Sequence, residues 1–109
     1  MERQSTDDLD KFLSLVRKTE IMRQVEKSLG EEPVHILVVI CREHGKAGQP
    51  VPDYHLRLSG YIGEVSLKAL VQAGMITQQS GGRISVYSYS PTEEGLRQYQ
   101  SLQKAGRLK

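Results

Sequence analysis

Residues 80–95 read SGGRISVYSYSPTEEG. Two adjacent glycines open the stretch, apolar and polar residues then alternate, and a helix start closes it. Paired glycines allow a tight turn with positive φ. The alternation predicts a strand over Ile84 to Ser90, with Ile84, Val86 and Tyr89 serving one face. Met75 to Gln79 supplies the outgoing strand, so the turn of this hairpin is Ser80 to Arg83. A hairpin that only covers a core needs no cation at its tip, whereas one that reaches for an anion does. Pro91-Thr92-Glu93-Glu94 then starts a last helix, with Leu96, Tyr99 and Leu102 spaced by three.

Working back toward the N-terminus, Tyr61 to Ala73 predicts a helix with Leu67 and Leu70 on its inward side, ended by Gly74. Ser59–Gly60 is a turn with capping potential, and Asp53 caps a short helix over 53–58. Residues 46–52, KAGQPVP, form a loop with at most one short strand, because two prolines remove ladder donors. The run VHILVVIC is rich in β-branched residues, yet Pro33 suits a first helical turn and Glu31–Glu32 suit a helix N-terminus. Val34, Leu37, Val38 and Cys41 fall on one helical stripe, with Gly45 as the stop. We therefore read a helix. Ile36, Val39 and Ile40 on its other side need a cover, which the N-terminal helix of the same or a partner subunit offers.

That N-terminal helix spans five to six turns. Ser5 or Thr6 caps it, and Asp7, Asp8 and Asp10 complement its dipole. Leu9, Phe12, Leu13, Val16, Met22, Val25 and Leu29 make one apolar stripe, interrupted by Lys18 and stopped by Gly30. Such a stripe on a small domain is a natural dimerisation face. The chain thus divides into 1–32, an N-terminal dimerisation helix, and 33–109, the remaining module.

With 109 residues, 38% hydrophobic and 26% charged, the chain reads as one soluble globular domain. No apolar run is long enough to span a membrane, and MERQSTDDLDKF is too polar for a signal peptide. A single cysteine, Cys41, fits a reducing cytoplasm. Net charge is +2, distributed as −2 over residues 1–32, +1 over 33–79 and +3 over 80–109. The last excess comes from Arg83, Arg97, Lys104, Arg107 and Lys109, and it points toward an anionic partner.

The order helix, helix, helix, strand, glycine turn, strand, helix resembles the winged helix-turn-helix fold, with an extra N-terminal helix. VSLKALVQAGMIT (65–77) looks like the end of a recognition helix running into the wing. YSYSPTEEGLRQY (87–99) looks like the Tyr-x-x-(Ser/Thr)-x-Glu-Gly junction of regulators of the MarR and PadR kind. The resemblance implies a mainly α fold with a small β-hairpin, over residues 33 to 102. It also implies a homodimeric transcriptional regulator that binds double-stranded DNA. Helix 61–73 would then enter the major groove, and Arg83 at the wing tip would reach a phosphate or the minor groove.

On that reading the DNA-facing candidates are Lys46, Arg57, Ser59, Tyr61, Glu64, Ser66, Lys68 and Arg83, with His55 beside them. Glu64 repels phosphate unless it accepts from a cytosine amine, and Ile62 and Val65 suit either thymine methyls or the core. Gly63 stands where an apolar residue is expected.

Other chemistry finds less support. Cys41, His44 and His55 offer three N/S ligands, but Cys41 completes an apolar stripe and no thiolate cluster accompanies it, so we read no metal and no cofactor. GKAGQP lacks the phosphate-loop spacing, and there is neither a nucleophile elbow nor a His-Glu-x-x-His motif. An enzyme is not expected. The competing reading is a winged-helix protein–protein interaction module without direct DNA binding, suited by Ile62, Glu64, Val65 and the striped N-terminal helix.

Overall fold

The computed structural model describes residues 5–106 of the chain. The Ser5 and Thr6 side chains, read as helix caps, and Arg107 and Lys109, read as part of the basic tail, lie outside what it describes. Among the described residues the protein is mainly helical, with a small three-stranded antiparallel sheet. The elements run α1 (Ser5–Arg17), α2 (Glu20–Ala47), β1 (Val51–Pro52), a 3₁₀ turn (Asp53–His55), α3 (Gly60–Gln72), β2 (Ile76–Ser80), β3 (Tyr87–Pro91) and α4 (Glu93–Lys104).

The N-terminal helix is shorter than expected. It breaks at Lys18–Thr19 instead of continuing to Gly30. Thr19 takes up extended backbone and caps α2, its Oγ1 accepting from the Met22 N–H at 3.3 Å and donating to the Val16 carbonyl at 2.7 Å. Glu20 follows in the first turn, where the helix dipole favours a carboxylate. From there α2 runs through Gly30, Pro33 and Gly45, all three of which the sequence pattern marks as boundaries, and ends at Ala47, capped by Gly48 with φ +67°. Glu31 and Glu32 are consequently mid-helix. Glu32 Oε2 accepts from the Ser59 N–H at 3.3 Å, at the entrance to α3.

Residues 36–41 of α2 are the axis of the core. Ile36, Leu37, Val38, Ile40 and Cys41 are all buried, so the segment is covered on both sides. The cover is α3, the sheet and α4, not the N-terminal helix: the core cluster adds Val51, Leu56, Leu67, Leu70, Ile76 and Tyr89, flanked by Tyr99 and Leu102. Arg42 Nε donates to the Tyr99 hydroxyl at 3.2 Å and so ties α4 to α2. The Cα radius of gyration is 17.8 Å, against about 13 Å for a compact domain of this length. The excess reflects α1 and the first turns of α2, none of whose residues belongs to the core cluster.

In the sheet β3 is central, pairing antiparallel with β1 (Val51 opposite Tyr89) and with β2 (Gln78 opposite Tyr89). The returning strand starts at Tyr87 and not at Ile84. The link between β2 and β3 is therefore a six-residue loop, Gly81–Val86. Ile84, Val86 and Tyr89, expected to share one face, do not: Ile84 and Val86 are 83% and 72% exposed, outside the strand, while Tyr89 within it is buried.

The junction of α3, β2 and α4 explains the sequence AGMI…SPTEEG. Gly74, at φ +78°, turns the chain out of α3. Thr92 then donates its N–H to the Met75 carbonyl at 3.0 Å and its hydroxyl to the Gly74 carbonyl, and accepts from the Gly95 N–H as the α4 cap. A Cβ on Gly95 would overlap the Met75 carbonyl oxygen. Gly30, by contrast, has open space where a Cβ would stand.

Two substitutions test this assignment in opposite directions. Gly95→Ala lowers stability by about 3 kcal/mol through the forced shift of α4. Gly30→Ala raises it by about 1 kcal/mol, because the position is helical and open. Urea titration followed by far-UV circular dichroism reads both. A destabilised Gly30→Ala would place a helix end at residue 30 after all.

Candidate nucleic-acid interface

The candidate residues occupy three places: the outer face of α3, the segment leading into it, and the β2–β3 loop. On α3 the spacing of 61, 64, 65 and 68 puts Tyr61, Glu64, Val65 and Lys68 on one helical face, and all four are exposed. Ile62 is half-buried, which removes it from the centre of that face.

Ser66 does not belong with the surface hydroxyls. It is 2% exposed, and its Oγ has no hydrogen-bond partner in the protein. Its position between Leu67 and the inward Gly63 turns it toward the interior.

Gly63, the residue out of place in the sequence pattern, has a steric reason. A Cβ there would stand 2.8 Å from Leu58 Cβ and 3.1 Å from two Leu58 backbone carbons. The 56–59 segment thus packs directly on the α3 backbone, and only glycine permits the approach. An inward apolar side chain at 63 is replaced by contact with Leu58 itself.

The segment before α3 holds Arg57 and Ser59. The helix expected over 53–58 is a single 3₁₀ turn, Asp53–His55. Arg57 takes φ +50°, an unusual conformation for a non-glycine residue, and its side chain is exposed. Ser59 is the residue before α3, but its side chain makes no capping bond; its N–H goes to Glu32. Lys46 lies in the last turn of α2 and is exposed. His55 Nδ1 meets Glu43 Oε1 at 2.6 Å, and Tyr54 stands edge-on to the His55 ring at 4.7 Å between centroids. His55 is therefore held to α2.

Asp53 does not cap the turn as the sequence suggests; it is the first residue of the 3₁₀ turn, whose cap position is Pro52 with no side-chain bond. Asp53 Oδ2 accepts from the Val86 N–H at 3.2 Å and from the Tyr87 N–H at 3.1 Å. A carboxylate on the 3₁₀ turn thus anchors the far end of the β2–β3 loop. At the near end the Gly81 N–H donates to the Val86 carbonyl at 3.0 Å, and Ser85 Oγ donates to the Gly81 carbonyl at 3.2 Å. Gly81 packs so closely on Ser85 that a Cβ would overlap its carbonyl oxygen and Oγ. Gly82, at φ +99°, completes the turn. Arg83 projects from this braced loop and is exposed. The Asp53 bonds and the outward Ile84 and Val86 escaped the sequence reading. The only cue was an acid standing right after the Val51–Pro52 strand that pairs with β3.

The remaining chemistry is sparse. Burial pushes the Cys41 thiol up to about 11 from 9.0. Burial, then the Asp53 and Tyr87 charges, also raise the Tyr89 phenol, which donates to Gln78 Oε1 at 3.2 Å. Hydrogen bonds from Gln98 and Arg97 lower the Glu94 carboxyl at the start of α4. No group of three or more His, Cys, Asp or Glu that could hold a metal occurs among the described residues, and none of their helices is long and apolar enough to cross a membrane.

The dimerisation candidates fall on two helices instead of one. Leu9, Phe12 and Leu13 on α1 and Leu29 on α2 are exposed, and Val16, Met22 and Val25 are half-buried. Leu15 and Ile21, off the stripe, are exposed as well. Between the two helices lies a cleft of about 460 Å³, lined by Asp10, Leu13, Ser14, Arg17, Lys18, Arg23 and Glu26.

Ser66 separates interior from surface experimentally. Ser66→Ala removes a buried hydroxyl that has no partner, so stability rises by about 1 kcal/mol or stays level in chemical denaturation. A loss of stability would mean that the hydroxyl has a bond partner. Compared with known proteins, the chain matches no family model, no curated protein and no solved structure.

Proposed function

We propose that this protein is a small winged helix-turn-helix transcriptional regulator that binds duplex DNA as a homodimer in the cytoplasm. In this reading α3 is the recognition helix, the Gly81–Val86 loop is the wing, and α1 with the first turns of α2 is the dimerisation arm. The observation that carries it is the braced loop with its exposed arginine. A loop held at both roots by four hydrogen bonds presents Arg83 at low entropic cost, which a purely structural hairpin does not require.

The α3 face supports the same reading. Lys68 supplies a cation and Tyr61 a hydroxyl on a side of the helix left open by the rest of the fold. Glu64 on that face suits a cytosine amine and disfavours bare phosphate. Arg57, Lys46 and Ser59 add backbone-positioning contacts, which give affinity without sequence preference. No carboxylate lies between Glu64 and Glu93, so residues 65–92, from within α3 through the loop to the α4 cap, carry only positive charge.

A second reading keeps some support from the exposed apolar residues. Val65 beside Glu64 on α3 also suits docking on a protein, in which case the fold would act as an interaction module. Salt dependence separates the two, since an electrostatic DNA surface loses affinity steeply as salt rises.

The primary test is fluorescence anisotropy with duplex DNA at low and at physiological salt. Arg83→Ala weakens binding across sequences and reduces the salt slope by about one phosphate contact. Lys68→Ala weakens it to a similar degree, or shifts sequence preference where Lys68 reads guanine. Unchanged affinity in both folded variants removes α3 and the loop as the DNA surface. For the arm, Val25→Asp dissociates the dimer in sedimentation equilibrium. A dimer mass that survives the substitution takes the α2 part of the stripe out of the interface.

A further inference from the structure

Ile84 is the most exposed large apolar side chain of the described residues, at 83%, and it adjoins Arg83 on a loop that cannot easily fold away. Ser85, next in the chain, is buried at 9% and clasps Gly81, which fixes the direction of its neighbours. Val86 is exposed as well, but its N–H is held by Asp53 and its carbonyl by Gly81, so it belongs to the root. The tip is Gly82-Arg83-Ile84. An isoleucine there stabilises nothing within the chain. It exposes apolar surface whose burial is worth roughly 1.5–3 kcal/mol.

A partner matched to this tip offers an apolar slot with an anionic rim. The minor groove of duplex DNA does so: phosphates line its edges, sugar carbons form its walls, and base steps can open to admit an aliphatic wedge. An anionic bilayer offers similar chemistry, but one cation and one aliphatic side chain fall short of what stable attachment needs, at about 1 kcal/mol per basic residue. The single acid against the loop, Asp53, has its charge satisfied by two backbone N–H groups.

We propose that the Gly81–Val86 loop enters the DNA minor groove with Ile84 as an apolar wedge, which partly unstacks a base step and bends the duplex. Arg83 beside it lies along the groove edge. This rests on the duplex-DNA reading above and adds to it a deformation of the DNA. Preference then follows flexible pyrimidine–purine steps more than base-edge contacts.

The experiment uses the full chain with a duplex of alternating A·T and T·A pairs, so that every placement meets a flexible step. 2-Aminopurine within it reports unstacking, and dyes at its two ends report bending. The intact protein raises 2-aminopurine fluorescence and brings the ends closer. Ile84→Ser loses both signals and binds about tenfold more weakly, while Ile84→Leu keeps them. The side chain is exposed, so both variants retain the fold, which circular dichroism verifies. Ile84→Ser with unchanged unstacking and bending overturns the wedge, as does binding by the intact protein without either signal; both outcomes leave DNA binding standing. No duplex binding at low salt defeats the DNA reading itself and the wedge with it. Co-sedimentation with phosphatidylserine vesicles in that case would reassign the loop to a membrane surface.

Discussion

The fold depends on the burial of one helical segment on both sides. Residues 36–41 of α2 place Ile36 and Ile40 at zero exposure and bury Leu37, Val38 and Cys41 as well. A β-branched residue gives up at most about 0.7 kcal/mol of helix propensity, whereas burying an isoleucine returns roughly 1.5–3 kcal/mol. Packing therefore outweighs the local preference for strand. Once this helix is central, α3, the sheet and α4 must surround it, and the outer sides of those elements are what remains for recognition.

The surrounding elements are joined by polar contacts between residues far apart in sequence. Asp53 holds the Val86 and Tyr87 amides, Glu32 holds the Ser59 amide, and Thr92 bonds both Gly74 and Met75. Each satisfies backbone groups that a turn or helix start leaves without partners. Glycine appears where two backbones must come close: Gly63 on Leu58, Gly81 on Ser85, Gly95 on Met75. The elements are thus tied together at their corners, and the loop is tied at its roots.

The parts legible in the sequence were those set by local pattern. The α2 helix across VHILVVIC, the short strand among the prolines, the Gly74 stop and the Thr92 helix start all follow from spacing and capping residues. What escaped was decided by contacts between distant residues. Gly30 and Pro33 mark a helix end in isolation, costing about 1 and 3 kcal/mol within one, yet α2 continues through both. The true break was signalled locally by Thr19–Glu20, a cap and an acid, but Lys18 there was read only as an interruption of the stripe. Ile84 and Val86 fit a strand by alternation, and nothing within that stretch reveals that Asp53 holds the chain out of the ladder until Tyr87. Ser66 has the composition of a surface ligand and the helical phase of a core residue, and phase prevailed.

The distribution of exposed apolar side chains carries the argument about function furthest. Most soluble chains scatter such residues, and scattered ones need no explanation. Here Leu9, Phe12, Leu13, Leu15, Ile21 and Leu29 share the arm and Ile84 and Val86 share the loop, while Tyr54, Tyr61, Val65, Tyr87 and Leu96 stand elsewhere on the surface. The arm carries acids and bases in near balance over residues 1–32, so it suits a surface like itself, as a symmetric dimer supplies. The loop sits in a stretch free of carboxylates and pairs its aliphatic residues with a cation, so a second copy's loop would repel it. The two apolar surfaces thus differ in electrostatic character, one near balance and one purely cationic, and surfaces so different suit different partners.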